Sequence, residues 1–346
     1  MTLEFGRLGF GAAAIGNLYR AISDAEARMV ITQAWDAGLR YFDTAPHYGF
    51  GLSEKRLGAV LTDLDPDAAA ILSTKVGRRL DPTPGADLTQ LRQGFLSPEP
   101  YESRFDYSYD AVMRSYEASR AHLRRDCIDI LYVHDIGRFA HGDAHESVMR
   151  EFLNGGFRAM EELRRGGAVR AIGLGVNEIA VCEEILAHAD IDLILLAGRY
   201  TLLEQQPLDR LLPLCVARGV RIIVGGPFNS GILAQGVRHG GPVHYDYGDP
   251  PASIIDRVRR IEQHCDTYGV TLGAAALQFP LAHPAVATVI PGIGSADHLR
   301  SAIDWMVLPI PAAFWQALRD DGLIDDRAPV PAGAGSSTVL QTGQPL

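Results

Sequence analysis

Four residues carry the chemistry that this sequence can do. Asp43 and Tyr48 stand five positions apart in YFDTAPHY, Lys75 ends AILSTK, and His134 ends IDILYVH. Each lies at or just beyond the end of a short apolar run. Lysine is scarce, with only Lys55 and Lys75 against 30 arginines. An amine placed among apolar residues needs a counter-charge or a function to hold it there. Asp43 supplies the carboxylate. A free phenol titrates near pH ~10, too high for easy proton exchange at neutrality, and an adjacent ammonium favours the phenolate and lowers that value. The set therefore predicts Tyr48 as general acid or base, tuned by Lys75, which Asp43 holds charged, with His134 hydrogen-bonded to the reacting oxygen. Two other readings of Lys75 stand beside this one: a packing lysine paired with a carboxylate, and a Schiff-base nucleophile. The histidines and carboxylates do not gather as metal ligands would, so no metal site is expected. Neither a GxSxG elbow nor a P-loop is present.

Two glycine-rich turns follow later runs. One is VGGPFNSGIL, containing Gly225, Gly226, Pro227, Phe228, Asn229 and Gly231. The other is IPGIGS, containing Pro291, Gly292 and Gly294, before a helix with Ser295 as its expected N-cap and His298 in its first turn. Glycine lets backbone approach a ligand closely, and free N–H groups at a helix start suit a phosphate. Either turn alone is equally well an ordinary tight turn. Together they predict a site for a pyrophosphate-bearing cofactor.

The elements that must position these residues alternate along the chain. Eight apolar runs, at 8–10, 39–43, 70–75, 128–134, 171–175, 193–197, 221–224 and 287–290, are continuous rather than alternating, as strands covered on both faces are. Amphipathic helix patterns separate them at 24–37, 53–61, 108–123, 157–165, 178–188, 207–218, 254–268 and 296–305. The first opens on the capping box Ser23-Asp24-Ala25-Glu26, and Gly38, Gly219 and Gly269 stand where helices stop. Such alternation over about 300 residues predicts a (β/α)8 barrel, whose working face is the C-terminal end of its strands. An open doubly wound sheet is the alternative, but GFGAAAIG lacks the spacing of a dinucleotide fingerprint. Residues 1–324 are expected as one barrel domain, 78–105 as an insertion shaping a substrate mouth, and 325–346 as a flexible tail.

Composition narrows the partners. A net charge of −10 with no basic run argues against nucleic acid and an anionic membrane surface, leaving a small-molecule substrate. Homo-oligomerisation stays open. Cys127, Cys182, Cys215 and Cys265 are widely spaced and read as reduced thiols. With no leader-like N-terminus and no apolar stretch of about 18 residues, a cytoplasmic protein is expected.

The ordered set FDTAPHYGFGLSEKRLG, STKVG, DILYVHD, AIGLGVN and VIPG, spread over residues 3–324, resembles the aldo-keto reductase superfamily. The resemblance implies a (β/α)8 barrel that binds NAD(P)H across its mouth without a Rossmann fold, with Asp43, Tyr48, Lys75 and His134 as its catalytic tetrad. LLAGRYTLLEQ, GGPFNSGILA and AALQFPLAHPAV are similar to the D-threo-aldose 1-dehydrogenase group, which includes L-fucose and L-galactose dehydrogenases. That implies oxidation of an aldose at C1 to the aldonolactone. Pyridoxal 4-dehydrogenase and a general aldehyde or ketone reductase are the alternatives, and a non-catalytic cofactor-sensing subunit is an alternative of another class. By the same resemblance Asn177 faces the nicotinamide carboxamide, Gly225 stands where an aromatic commonly stacks on that ring, and Ala197 replaces a usual glutamine. The positions that hold a 2'-phosphate correspond to Gly292 and His298. One weak cation there, with Arg300 nearby, favours NAD over NADP.

Overall fold

The computed structural model of the chain describes residues 3–332. Ten strands form: β1 Phe10–Gly11, β2 Tyr41–Asp43, β3 Ile71–Val76, β4 Arg78–Pro82, β5 Tyr101–Phe105, β6 Ile128–His134, β7 Val169–Val176, β8 Leu193–Ala197, β9 Arg221–Gly225 and β10 Val286–Ile290. Eight of them make one parallel sheet in the order β1-β2-β3-β6-β7-β8-β9-β10. The sheet curls until its ends meet. Gly9 N donates to Val289 O at 2.9 Å and Gly11 N to Pro291 O at 3.0 Å, joining β10 to β1. Gly11 is needed for this seam, because a Cβ there would stand 2.7 Å from the Pro291 carbonyl oxygen. The fold is the (β/α)8 barrel that the alternation predicts.

Two apolar layers follow from the period of two along each strand. Tyr41, Ile71, Ile130, Tyr132, Leu193, Leu195 and Ile223 point into the barrel, with Leu3 and Phe5 packed against them from the strands' N-terminal side. The intervening Phe42, Leu72, Leu131, Val133 and Ile194 face outward beneath the helices. At Ser23 the capping box is present, with both reciprocal bonds, and Ser295 caps the helix Ala296–Val307 by accepting from His298 N. Gly219 and Gly269 end their helices in left-handed geometry.

Several elements differ from expectation. The segment 78–105 is not irregular throughout: β4 and β5 pair as an antiparallel ribbon from Arg78–Phe105 to Pro82–Tyr101. The helix expected over 207–218 starts at Leu211, after a separate 3-10 turn Gln206–Leu208. Leu272–Gln278 and Ala312–Asp320 are additional helices. The first is buried at every position, so its sequence carries no amphipathic period to read. Residues 325–328, expected to begin a flexible tail, return to the barrel. Asp325 N donates to Gln205 Oε1 at 2.7 Å, Arg327 pairs with Asp209 at 2.8 Å, and Ala328 is fully buried. The rest of that expected tail, from 333 on, lies outside the described residues. Among the described residues no helix is long and apolar enough to cross a membrane.

Candidate active site

Strand alternation turns Asp43, Ser73, Lys75 and His134 into the barrel at its C-terminal end. Asp43 lies beside Ser73 across β2 and β3, and Lys75 beside Tyr132 across β3 and β6. Tyr48 comes from the turn after β2, which enters the helix Leu52–Leu64 through Gly49, Phe50 and Gly51, all with positive φ. That turn packs against the loop after β1 at Gly16, where a Cβ would stand 2.7 Å from the Tyr48 carbonyl carbon.

The four predicted side chains meet. Lys75 Nζ donates to Asp43 Oδ2 at 2.7 Å and to Thr44 O at 2.8 Å. It lies 4.8 Å from the centre of the Tyr48 ring. The His134 ring stands nearly perpendicular to that of Tyr48, with centroids 5.9 Å apart. Asp43 takes a second bond from Ser73 Oγ at 2.7 Å. Tyr41 OH sits 3.0 Å from Ser73 Oγ and 3.3 Å from Tyr132 OH, so a chain of hydroxyls supports the carboxylate from inside the barrel. Sequence reasoning passed over Ser73. Its signal was there, two positions before Lys75 on the same inward face.

Burial dominates the electrostatics. It opposes the charge on Lys75, but Asp43 and Tyr48 outweigh it and hold the amine above its ordinary value. Burial pushes Asp43 up, against the pull of Lys75 and Ser73. Tyr48 is also pushed up by burial, with Lys75 pulling it down and Asp43 raising it. The expectation that Lys75 sets Tyr48 below a free phenol is therefore corrected: Lys75 acts in the expected direction, but removal of the phenol from water is the larger effect. His134 is held well below the imidazole range by burial, then by Arg78, Lys75 and His47. It is neutral. Its Nδ1 is buried without a hydrogen-bond partner, which leaves Nε2 to reach an oxygen in the mouth.

The 78–105 segment closes one side. His47 Nδ1 lies 2.8 Å from Ser103 Oγ, its ring 6.0 Å from that of His134, and the Phe95 ring 6.2 Å from that of Tyr48. His47 was another residue that sequence reasoning left without a role, although it precedes Tyr48 directly.

The residues expected to hold a cofactor lie on the loops after β7, β9 and β10. Asn177 follows β7, and its backbone oxygen accepts from Arg199 Nε at 2.7 Å. Gly225 ends β9 facing inward, where a Cβ would meet Leu195 at 3.0 Å. Gly226, Asn229, Ser230 and Gly231 all have positive φ. Within this loop, Phe228 packs edge-on against Trp305 at 5.6 Å. The Asn229 side chain donates to Gly198 O at 3.0 Å and accepts from Thr201 Oγ1 at 2.6 Å, tying the β8 and β9 loops together. Pro227 lies in the same turn, and further along it Ser230 and Gly231 line a cleft of about 440 Å³ together with Gln235, His239 and Gly241–His244. After β10, Pro291 O accepts from Gly11, a Cβ on Gly294 would stand 2.8 Å from Ala14 Cβ, and one on Gly292 would meet nothing within 4 Å. His298 N is bonded to Ser295 Oγ at 3.2 Å, so that amide serves the cap. Of the residues expected to hold a cofactor, Gly231 alone lines that cleft, and the open space above Gly292 lies on a separate loop. Among the described residues no cluster of His, Cys, Asp or Glu could hold a metal ion.

Residues 7–320 match the sequence model described as the Aldo/keto reductase family. The chain is 44% identical to a pyridoxal 4-dehydrogenase of Microbacterium luteolum and 41% identical to a D-threo-aldose 1-dehydrogenase of a Pseudomonas species, with 92% of this chain and 94% of the relative covered in each case. Among solved structures it is similar to the holo form of an aldo-keto reductase from Bacillus halodurans, with a TM-score of 0.70 and 25% identity over 95% of this chain and 97% of that one.

Proposed function

Because this chain belongs to the aldo/keto reductase family and is an NAD(P)-linked oxidoreductase, we propose that it oxidises a cyclic hemiacetal to a lactone, an aldose of the L-fucose or D-threo type at C1 being the substrate. The observation that carries this reading is the buried Lys75–Asp43 pair at 2.7 Å, beside the Tyr48 ring, which the His134 ring meets edge-on. Bound nicotinamide supplies the hydride acceptor. Tyr48 removes the proton of the C1 hydroxyl, and the Lys75 ammonium stabilises the phenolate that results. Asp43, itself bonded to Ser73, keeps the ammonium in place. His134 donates a hydrogen bond through Nε2 to the oxygen that becomes the lactone carbonyl. Asn177, the loop Gly225–Gly231 and the turn Pro291–Gly294 would hold the dinucleotide, with NAD preferred.

Pyridoxal is the second reading, favoured by the 44% identity to a pyridoxal dehydrogenase. Its aldehyde closes on the neighbouring hydroxymethyl group as a cyclic hemiacetal, so the bonds made and broken are the same. Steady-state assays with L-fucose, D-arabinose and pyridoxal against NAD+ and NADP+ separate these readings from a cofactor-sensing subunit. Turnover with an aldose is expected, and Tyr48→Phe is expected to lower kcat by about 10³-fold while NAD+ affinity stays within about threefold. A wild-type protein that binds NAD+ and turns over none of the three, or an unimpaired Tyr48→Phe variant, would refute the proposal.

A further inference from the structure

The turn after His134 is fixed in an unusual shape. Asp135 has φ 50, in the left-handed region that non-glycine residues rarely occupy. Several bonds hold it there. Asp135 N donates to Gly175 O at 3.0 Å, Tyr107 OH lies 2.9 Å from His134 O and 3.1 Å from Asp135 O, and His141 Nε2 lies 3.1 Å from Asp135 O. Backbone strain clamped by its neighbours is found where it aims a side chain. Here the side chain is a carboxylate whose Oδ2 lies 3.6 Å from His134 Nε2 and 3.6 Å from Arg78 Nη1. Both distances are beyond hydrogen bonding. Among the described residues the Asp135 carboxylate accepts no side-chain or backbone hydrogen bond, although it is only partly exposed. A carboxylate in that state has unused acceptor capacity.

We propose that Asp135 is a specificity-determining residue that accepts a hydrogen bond from the substrate hydroxyl on the carbon next to the reacting one, the C2 hydroxyl of an aldose. The inference rests on the aldose reading above. Because Asp135 Oδ2 lies 3.6 Å from His134 Nε2, an oxygen accepting from that nitrogen would sit near the carboxylate, and a hydroxyl on the adjoining carbon would come within its reach. Arg78, with its guanidinium 4.6 Å over the Phe105 ring, fixes the far side of the carboxylate and helps to keep it ionised. Burial raises the Asp135 pKa, while Arg78 and Lys75 oppose that rise. A substrate lacking the hydroxyl leaves that acceptor capacity unmet, and the site disfavours it.

The test uses D-arabinose and 2-deoxy-D-ribose, which differ only in the C2 hydroxyl, with NAD+ and two variants. Asp135→Gly accepts the left-handed backbone and removes the carboxylate. Asp135→Asn also tolerates that backbone and retains one neutral acceptor. For D-arabinose, kcat/KM is expected to fall about 30- to 100-fold in the glycine variant and less in the asparagine variant. For the deoxy sugar it should change less than about threefold. Equal losses on both sugars would assign Asp135 to holding the turn and overturn the proposal, as would no loss on either. Reduction of D-glyceraldehyde and 3-hydroxypropanal, a pair with the same difference, reads Asp135 even if the wild-type protein oxidises no aldose, so failure of the substrate reading is distinguishable from failure of this one.

Discussion

His47 stands one residue before Tyr48, with its Nδ1 2.8 Å from Ser103 Oγ, and burial, with Arg78 and Lys75 facing it, pushes its pKa down to about 3. His134 is lowered for the same reasons. An unfolded chain binds a proton at histidine near pH ~6.5, whereas the native mouth refuses it until far lower pH. The unfolded state therefore holds more protons across that interval. The contribution of His47 to stability is full above about pH 6.5 and falls as the pH drops towards the folded value, with a slope approaching about 1.4 kcal/mol per pH unit. Urea midpoints measured between pH 7.5 and pH 5 should fall with pH in the wild type. His47→Gln, which keeps a partner for Ser103 but cannot titrate, should flatten that slope by about one proton. Parallel slopes would show that His47 is protonated in the native state. The pair is a case of partial legibility. That a histidine stands beside a reactive tyrosine is plain from YFDTAPHY, but its neutrality is set by burial and then by Arg78, which comes from the paired ribbon β4–β5.

At the scale of elements, the rule that successive residues of a strand face opposite sides is enough to bring Asp43, Lys75 and His134 to one mouth, and that rule can be applied to the sequence unaided. It equally places Ser73 and Gly175, but it does not show why they matter. Gly175 lies opposite His134 in the register of β6 and β7, and a Cβ there would stand 3.2 Å from Lys75 Cε and 3.3 Å from Cδ. β7 thus leaves the space through which the lysine stem crosses the barrel. Gly175→Ala is expected to displace the ammonium from Tyr48 by a few tenths of an ångström, lowering kcat about tenfold, at a stability cost of about 1–2 kcal/mol. Measuring kcat at saturating substrate beside the urea midpoint separates the two effects. An unchanged kcat would mean that the stem has room to spare. Three of the elements that escaped sequence reasoning carry no internal period to read. Leu272–Gln278 is buried all round, and β4 and β5 are stabilised by each other rather than by any pattern within either strand.

At the scale of the whole molecule, the barrel could be read from the count and order of its runs, because closure needs only eight strands and short crossovers. The return of residues 325–328 could not, since Arg327–Asp209 and Asp325–Gln205 join parts of the chain more than 100 residues apart. Cofactor preference also belongs to this scale. NADP+ differs from NAD+ by a phosphate dianion, which gains most from charge-assisted bonds to fixed cations. The loop after β10 offers Gly292 and His298, while exposed Arg300 is already paired with Asp297 at 3.3 Å. The molecule around it carries a net charge of −10, so the longer-range field repels the extra phosphate as well. With one charge-assisted bond worth about 1.5–3 kcal/mol, kcat/KM for NAD+ should exceed that for NADP+ by about 10- to 100-fold. His298→Arg should narrow the ratio by about tenfold, and added salt should narrow it further in the wild type by screening the repulsion. Equal use of both cofactors at low ionic strength would show that Arg300 leaves Asp297 to meet the phosphate. Asp297→Ala, which frees that arginine, would then leave the ratio unchanged.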